Sequence, residues 1–192
     1  MLGSHNSMSY LPIHGWRKLL KPWTKCQSLD LQEQYNKAKV RYFDIRMRLI
    51  NNEWHLCHNK TDLGPFLHWK DYILFFAYKP ECHFRFILDE RKKPDDAEEY
   101  KNKFLSFIKS LQMDVNHPFD SVIVYWDWVE YGSHKIKQYE YHASINASWY
   151  QYILGTKWFA KHYYKKFSRE YVNNRIKDKR STLLLDYVEY CK

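Results

Sequence analysis

Short runs with a two-residue hydrophobic period alternate along this chain with longer runs of helical period. In Val40–Ile50 (VRYFDIRMRLI), Phe43, Ile45, Met47 and Leu49 form one apolar face, and Tyr42, Asp44, Arg46 and Arg48 form the other. Side chains of a strand alternate between faces, so this run predicts a strand. Glu53–His58, Cys82–Glu90 (CHFRFILDE), Ser121–Glu130 (SVIVYWDWVE) and Thr182–Tyr190 (TLLLDYVEY) predict four more, with a stub at Met1-Leu2. Trp69–Tyr78 reads as helical. Asp95–Gln112 is the clearest helix, with acids in its first turn and apolar residues at Phe104, Leu105, Phe107, Ile108 and Leu111. Ser148–Lys177 predicts a long, basic, aromatic-rich helical region broken near Gly155. Strand and helix alternate, which argues for an α/β domain with a parallel sheet, either a barrel or an open sheet. No linker divides residues 1–192, so one domain is expected.

The pattern places charge where a sheet interior should be. A central parallel strand is buried on both faces, which puts Asp44 and Arg46 side by side in the interior. An unpaired buried charge costs several kcal/mol. Either the two satisfy each other, or both point into a site where an anion such as phosphate completes the balance. Other strand ends also deliver titratable or polar groups. His5 and Asn6 follow the first stub, His58 ends WHLCH, Asp89-Glu90 ends FRFILDE, and Asp186 interrupts LLLDYV. If the strands are parallel, these residues meet where an α/β barrel builds its active site, at the C-terminal ends of its strands.

Composition narrows the partner. The chain has 192 residues, 45% of them hydrophobic and 19% aromatic, which is ample for a packed core. Its formal net charge of +9 suits an anionic partner; spread along the chain, it also suits a solubilising surface. The four cysteines, Cys26, Cys57, Cys82 and Cys191, show no paired spacing, which favours free thiols over disulfides or zinc. No apolar run approaches the ~18 residues of a membrane span, and the first residues lack a signal-peptide core. A cytoplasmic location as encoded is the expectation, with peripheral membrane contact or secretion left open.

The stretch GSHNS, then CQSLDLQEQYNKAKVRYFDIRMR, then HLCHN resembles the X-domain of phosphatidylinositol-specific phospholipases C. Bacterial members carry a GTHDS-like loop, an FDIR strand and a second histidine in this order and at similar spacing. YHASINASW is similar to a YxSxIN stretch of those enzymes, and LLLDYVEY to their last strand, which bears an aspartate. The resemblance is strong over residues 3–58 and weak between 60 and 135. It implies a TIM-type (β/α) barrel, distorted or incomplete, and phosphodiester cleavage of a phospholipid.

It also implies roles. His5 would be the general base and His58 the general acid. Asp186 would orient His5, and Arg46 would hold the phosphate. Asp44 and Asn6 would position His58, Arg46 or the nucleophile. The residue types suit the chemistry, since imidazole gives and takes protons near neutral pH and guanidinium offers two parallel donors and a permanent charge to phosphate oxygens. Calcium-dependent relatives place an acid where this chain has Arg46. The resemblance therefore implies a site without metal and without cofactor, with Asn6 and Glu90 near where those relatives supply ligands, and Glu90 with Asn6 and Arg46 as substrate contacts.

The remaining histidines, His14, His55, His68, His83, His117, His134, His142 and His162, read as structural or exposed, with His55 packing outward. Ser4, Ser7 and Cys57 read as loop and core residues. Asp127 lines the interior or pairs in the core. His14–Lys25 (HGWRKLLKPWTK) mixes aromatic, apolar and basic residues, which suits either shallow insertion at an anionic membrane or an amphipathic helix packed on the domain. Two other function classes stand beside the enzyme. One is an inactive barrel that binds phospholipid or phosphoinositol. The other is a nucleic-acid binder, which has charge and aromatics in its favour but no motif; no nucleic-acid partner is expected.

Overall fold

A computed structural model describes residues 1–13, 25–58, 61–90, 92–116, 118–126, 129–134, 137–141, 181–185 and 188. In chain order the elements are β1 (Leu2–Ser4), α1 (Leu31–Asn36), β2 (Tyr42–Ile50), β3 (Glu53–His58), β4 (Thr61–Pro65), a 3-10 turn (Phe66–Trp69), α2 (Lys70–Ala77), β5 (His83–Asp89), α3 (Ala97–Val115), β6 (Ser121–Trp126), β7 (Val129–His134), β8 (Lys137–Tyr141) and β9 (Ser181–Leu185).

The strands form one sheet in the order β7-β6-β5-β2-β1-β9-β8, with β3 and β4 paired in sequence off β2. From β6 across to β8 every neighbouring pair is parallel. β7 is antiparallel to β6, and β3 is antiparallel to both β2 and β4. Among the described residues β7 and β8 remain unpaired with each other, so the sheet does not close.

The apolar face of β2 makes the core. Phe43, Ile45 and Met47 are fully buried, and the parallel register sets them beside Phe84, Phe86 and Leu88 of β5. α3 covers this layer. Its buried residues, Phe104, Ile108, Leu111 and Val115, recur at helical spacing on one face. Full burial of side chains of this size contributes about 1.5–3 kcal/mol each. Trp54 of β3 packs against Tyr100, Phe104 and Phe107, which fixes the hairpin to α3. Glu98 and Glu99 in the first turn of α3 suit its dipole, and Asn116 ends it in the left-handed conformation at φ 49°. α1 is closed by a reciprocal cap, with the Glu33 amide donating to the Asp30 side chain and the Asp30 amide to the Glu33 side chain.

One expectation changes. The expected strand Ser121–Glu130 is two antiparallel strands, with Trp126 opposite Val129. Both arms carry β-type apolar residues and no glycine or proline marks the reversal, so the pattern reads as one run. The last strand is described over Ser181–Leu185, and residues 186, 187, 189 and 190 of the expected run lie outside the described residues. The helical region Ser148–Lys177, the segment His14–Lys25 apart from its last residue, and Asp127 lie outside the described residues. No helix of the described residues is long and apolar enough to cross a membrane.

Candidate active site

The site grows from the C-terminal end of β1. Gly3 and Ser4 pair with Tyr42 and Phe43 on one side, and Leu2–Ser4 pair with Leu183–Leu185 on the other. The chain then turns. The His5 amide still donates to Leu185 O at 3.0 Å, and Asn6 takes a left-handed backbone at φ 43°, a conformation that asparagine tolerates better than most residues. The turn is tied to β2 at several points. Asn6 N–H donates to Asp44 Oδ2 at 2.9 Å, Ser7 N–H donates to Asp44 O at 2.8 Å, and Asp44 N–H donates to Ser7 Oγ at 2.9 Å. The turn after β1 is thus anchored to both β2 and β9.

His5 and His58 face each other. Their ring centroids are 6.1 Å apart and the rings are nearly perpendicular, at 86°. They are 3% and 6% exposed, so the pair is almost closed off from solvent. Asn6 bridges the two segments that carry them. Its Nδ2 donates to Cys57 O at 3.3 Å, joining the first histidine's loop to the strand that carries the second. Asn6 is fully buried, and its Oδ1 has no hydrogen-bond partner among the described residues.

Arg46 reaches in from β2. Its Nη2 lies 2.7 Å from His5 Nε2, its Nε donates to Asp44 Oδ2 at 3.1 Å, and its Nη1 lies 3.6 Å from Asp89 Oδ2. Guanidinium has only donors, so in this contact His5 Nε2 is the acceptor and the ring proton sits on Nδ1.

Asp44 is the electrostatic centre of the cluster. Its carboxylate is fully buried and bridges two guanidinium groups, Arg46 on Oδ2 and Arg85 on Oδ1, the latter with Nε at 3.0 Å. Burial pushes its pKa up, but the charges of Arg46, Arg85 and His5 outweigh that and hold it well below the usual carboxylate range.

The resulting frame can do acid–base chemistry on an anion. It has two facing imidazoles, a guanidinium beside one of them, and a buried carboxylate fixing that guanidinium. Among the described residues no three His, Cys, Asp or Glu side chains group as a metal site.

Of the residues singled out in the sequence, the structure brings together His5, Asn6, Asp44, Arg46 and His58. Glu90 is directed elsewhere. It accepts from Tyr100 Oη at 2.9 Å and pairs with Arg48 Nε at 3.0 Å. Burial is the main cause raising its pKa, against the opposing charge of Arg48 and the Tyr100 hydrogen bond. The acid beside Arg46 is Asp89, its neighbour in sequence and 1% exposed. Asp186 lies outside the described residues. His55 is half-buried rather than turned outward, because Asp62 Oδ1 lies 2.9 Å from its Nδ1.

Three residues were not anticipated. Arg85 is 1% exposed and stands directly opposite Asp44 in the register of β2 and β5. Gln27 donates through Nε2 to His5 O at 2.9 Å and Leu185 O at 2.8 Å, and its Oε1 accepts from the Val188 amide at 3.3 Å, so it clamps β1 to β9 beneath the turn. Cys26 places Sγ 3.8 Å from His58 Nδ1 and 3.9 Å from Nε2. For Arg85 a signal was present, a lone arginine within the apolar strand HFRFILD.

Comparison with known proteins bears on the fold. The chain is similar to the solved structure of phosphatidylinositol-specific phospholipase C from Listeria monocytogenes, with a TM-score of 0.58 and 14% sequence identity over 100% of this chain and 89% of that one. The two share a fold. The architecture is therefore an α/β, TIM-type barrel, distorted and not closed among the described residues. No protein-family model matches the chain. No curated protein sequence matches it either.

Proposed function

We propose that this protein cleaves the phosphodiester of a phospholipid in the manner of a phosphatidylinositol-specific phospholipase C. The observation that carries the reading is the facing pair His5 and His58 with Arg46 seated on His5 Nε2. The fold shared with the Listeria protein supports it, since that protein is named for this activity.

In the proposed reaction a hydroxyl of the head group attacks its own phosphorus. His5 Nε2 takes the hydroxyl proton. The bond from phosphorus to the diacylglycerol oxygen breaks, and His58 gives that oxygen a proton. The products are a cyclic phosphodiester and diacylglycerol. Arg46 turns its guanidinium from His5 to the phosphate oxygens, where a well-placed donor contributes about 3–4 kcal/mol to the transition state. Asp44 holds Arg46, and Asn6 positions His58 through its Nδ2 hydrogen bond to Cys57 O. Asp186 supports His5 Nδ1. It follows Leu185, whose carbonyl already binds the His5 amide. Glu90 acts at one remove, by holding Arg48. Both oxygens of Asp44 are engaged by guanidinium and amide donors, so the phosphate charge is assigned to Arg46, with no metal or cofactor in the mechanism.

The test is ³¹P NMR of the protein with phosphatidylinositol micelles and EDTA, beside His5→Ala. A cyclic phosphodiester resonance that the variant fails to produce is the expected result. Activity only with added calcium would overturn the role given to Arg46. Silence in both conditions, with lipid binding retained, would make the barrel a phospholipid-binding protein.

A further inference from the structure

The catalytic reading uses Arg46 and leaves a second guanidinium unexplained. Arg85 is one of the largest side chains in the protein with almost no exposure, and it belongs to a different strand from Arg46. Burial of an arginine in a sheet interior is costly unless a well-placed anion meets it. That anion is Asp44. The parallel register sets Asp44 opposite Arg85, and Arg85 Nε donates to Asp44 Oδ1 at 3.0 Å. The other oxygen, Oδ2, carries the whole connection to the site, accepting from Arg46 Nε and from the Asn6 amide. Two oxygens thus divide the work, one facing β5 and one facing the histidines.

A carboxylate held from one side only swings about its Cβ–Cγ bond. With Arg85 on Oδ1 the plane of the Asp44 carboxylate is set, and with it the direction of Oδ2. Arg85 therefore reaches the proposed phosphate position through two links, Asp44 and then Arg46. We propose that Arg85 is a positioning residue of this site, orienting the Asp44 carboxylate so that it presents Arg46 and the Asn6 turn to the phosphate. The groups facing Asp44 are Arg46 from its own strand, Arg85 from β5, and His5 with the Asn6 amide from the turn after β1. Asp89 joins the same cluster through Arg46. The inference rests on the reading under Proposed function for its catalytic consequence, but not for its electrostatic one.

The experiment uses the full chain as wild type, Arg85→Met, Arg85→Lys, Asp44→Asn and the Arg85→Met/Asp44→Asn double variant. Phosphodiester turnover is followed by ³¹P NMR across pH, and the Asp44 carboxyl by its ¹³C shift. Arg85→Met is expected to lower kcat by about 10²-fold with a smaller change in KM, the size of loss that follows from small misplacement of a catalytic group. Its carboxyl midpoint is expected to rise. Arg85→Lys restores charge without the planar fork, so its midpoint returns toward wild type while its rate recovers in part. In the Asp44→Asn background the Arg85 substitution is expected to add little, because its effect passes through the missing group.

A folded Arg85→Met protein with unchanged midpoint and rate profile would overturn the proposal, as would full additivity in the double variant. If Arg85→Met fails to fold, Arg85→Lys decides by the same two readouts, a wild-type rate and profile counting against the proposal. If the wild type cleaves no phosphodiester, the enzymatic reading fails, and the carboxyl titration alone then scores whether Arg85 governs Asp44.

Discussion

Arg46 Nη2 and His5 Nε2 lie 2.7 Å apart, so the nitrogen assigned as the general base has its lone pair covered by the cation assigned to the phosphate. The contact defines the resting state. Guanidinium donates and never accepts, so with Nε2 accepting in this contact the ring proton sits on Nδ1. A phosphate oxygen competes for the same donor, and a charge-assisted bond to phosphate is stronger than one to a neutral ring nitrogen. Occupation by phosphate thus frees the base. In ¹⁵N-resolved NMR the His5 ring is expected to show a protonated Nδ1 and a hydrogen-bonded Nε2, with Nε2 moving on addition of inorganic phosphate. A protonated Nε2 in the unliganded protein would contradict this.

The proposed reaction gives the two histidines different tasks, and the leaving group separates them. His58→Ala is expected to cost 10²–10⁴-fold against a diacylglycerol leaving group. Against a nitrophenyl ester, whose leaving oxygen needs no proton, most of that loss disappears. His5→Ala is expected to lose comparable activity on both substrates. Parallel kinetics on the two esters make the check, and equal losses for His58→Ala on both would contradict the assignment.

Arg46→Lys keeps the charge but loses the fork. Lysine presents one compact ammonium, whereas Arg46 now spans Asp44, Asp89 and His5. A fall in kcat of about 10²–10³-fold is expected, as for loss of one preorganised donor. Wild-type turnover in this variant would place the phosphate elsewhere.

Asp44 also sets an acid limit to stability. Its folded pKa is depressed below the ordinary value of 3.8 by Arg46, Arg85 and His5, against the opposing effect of burial. The stability it contributes is therefore fully present above the unfolded pKa, and is lost as pH falls through about 4 toward the folded value. Asp44→Asn removes this dependence but takes the Asp44 charge from the buried Arg85 and leaves Arg46 with Asp89, a loss of about 3–5 kcal/mol. Urea unfolding between pH 2 and pH 7 is expected to show a flatter acid limb at lower overall stability in the variant.

Two glycines test the strand packing, with different costs. A Cβ at Gly3 meets Leu184 Cδ2 at 2.6 Å, the end of a flexible side chain. A Cβ at Gly132 meets the backbone oxygen of Val122 at 2.6 Å, and the residue also sits at φ +150°. Gly132→Ala is therefore expected to destabilise more than Gly3→Ala, which costs about 1–3 kcal/mol through overpacking. Denaturant midpoints compare them directly, and the opposite order would mean that β7 yields more easily than β1.

Much of the site was legible because it lies in short, continuous stretches. GSHNS is a turn by composition, and the alternation in FDIRMR puts Asp44 and Arg46 on one face whatever the strand pairs with. His58 follows from the strand that ends on it. The aromatic and aliphatic faces of β2, β5 and α3 were equally plain, since each is a period that the local backbone imposes. The missed hairpin at Trp126–Val129 shows the limit of that signal, because two β-rich arms without a turn residue share one pattern.

What only the tertiary structure decided is which faces meet. Arg85 becomes the partner of Asp44 because backbone hydrogen bonds between β2 and β5 set one parallel register, and a slip of one residue would turn Arg85 to the opposite face. The same register selects Asp89 rather than Glu90 as the acid beside Arg46. Gln27 and Cys26 enter from an irregular segment with no period to read, placed by contacts to β1, β9 and His58. Local alternation determined that charges would enter the interior. Long-range strand pairing, summed over many backbone hydrogen bonds, determined which charge each one faces.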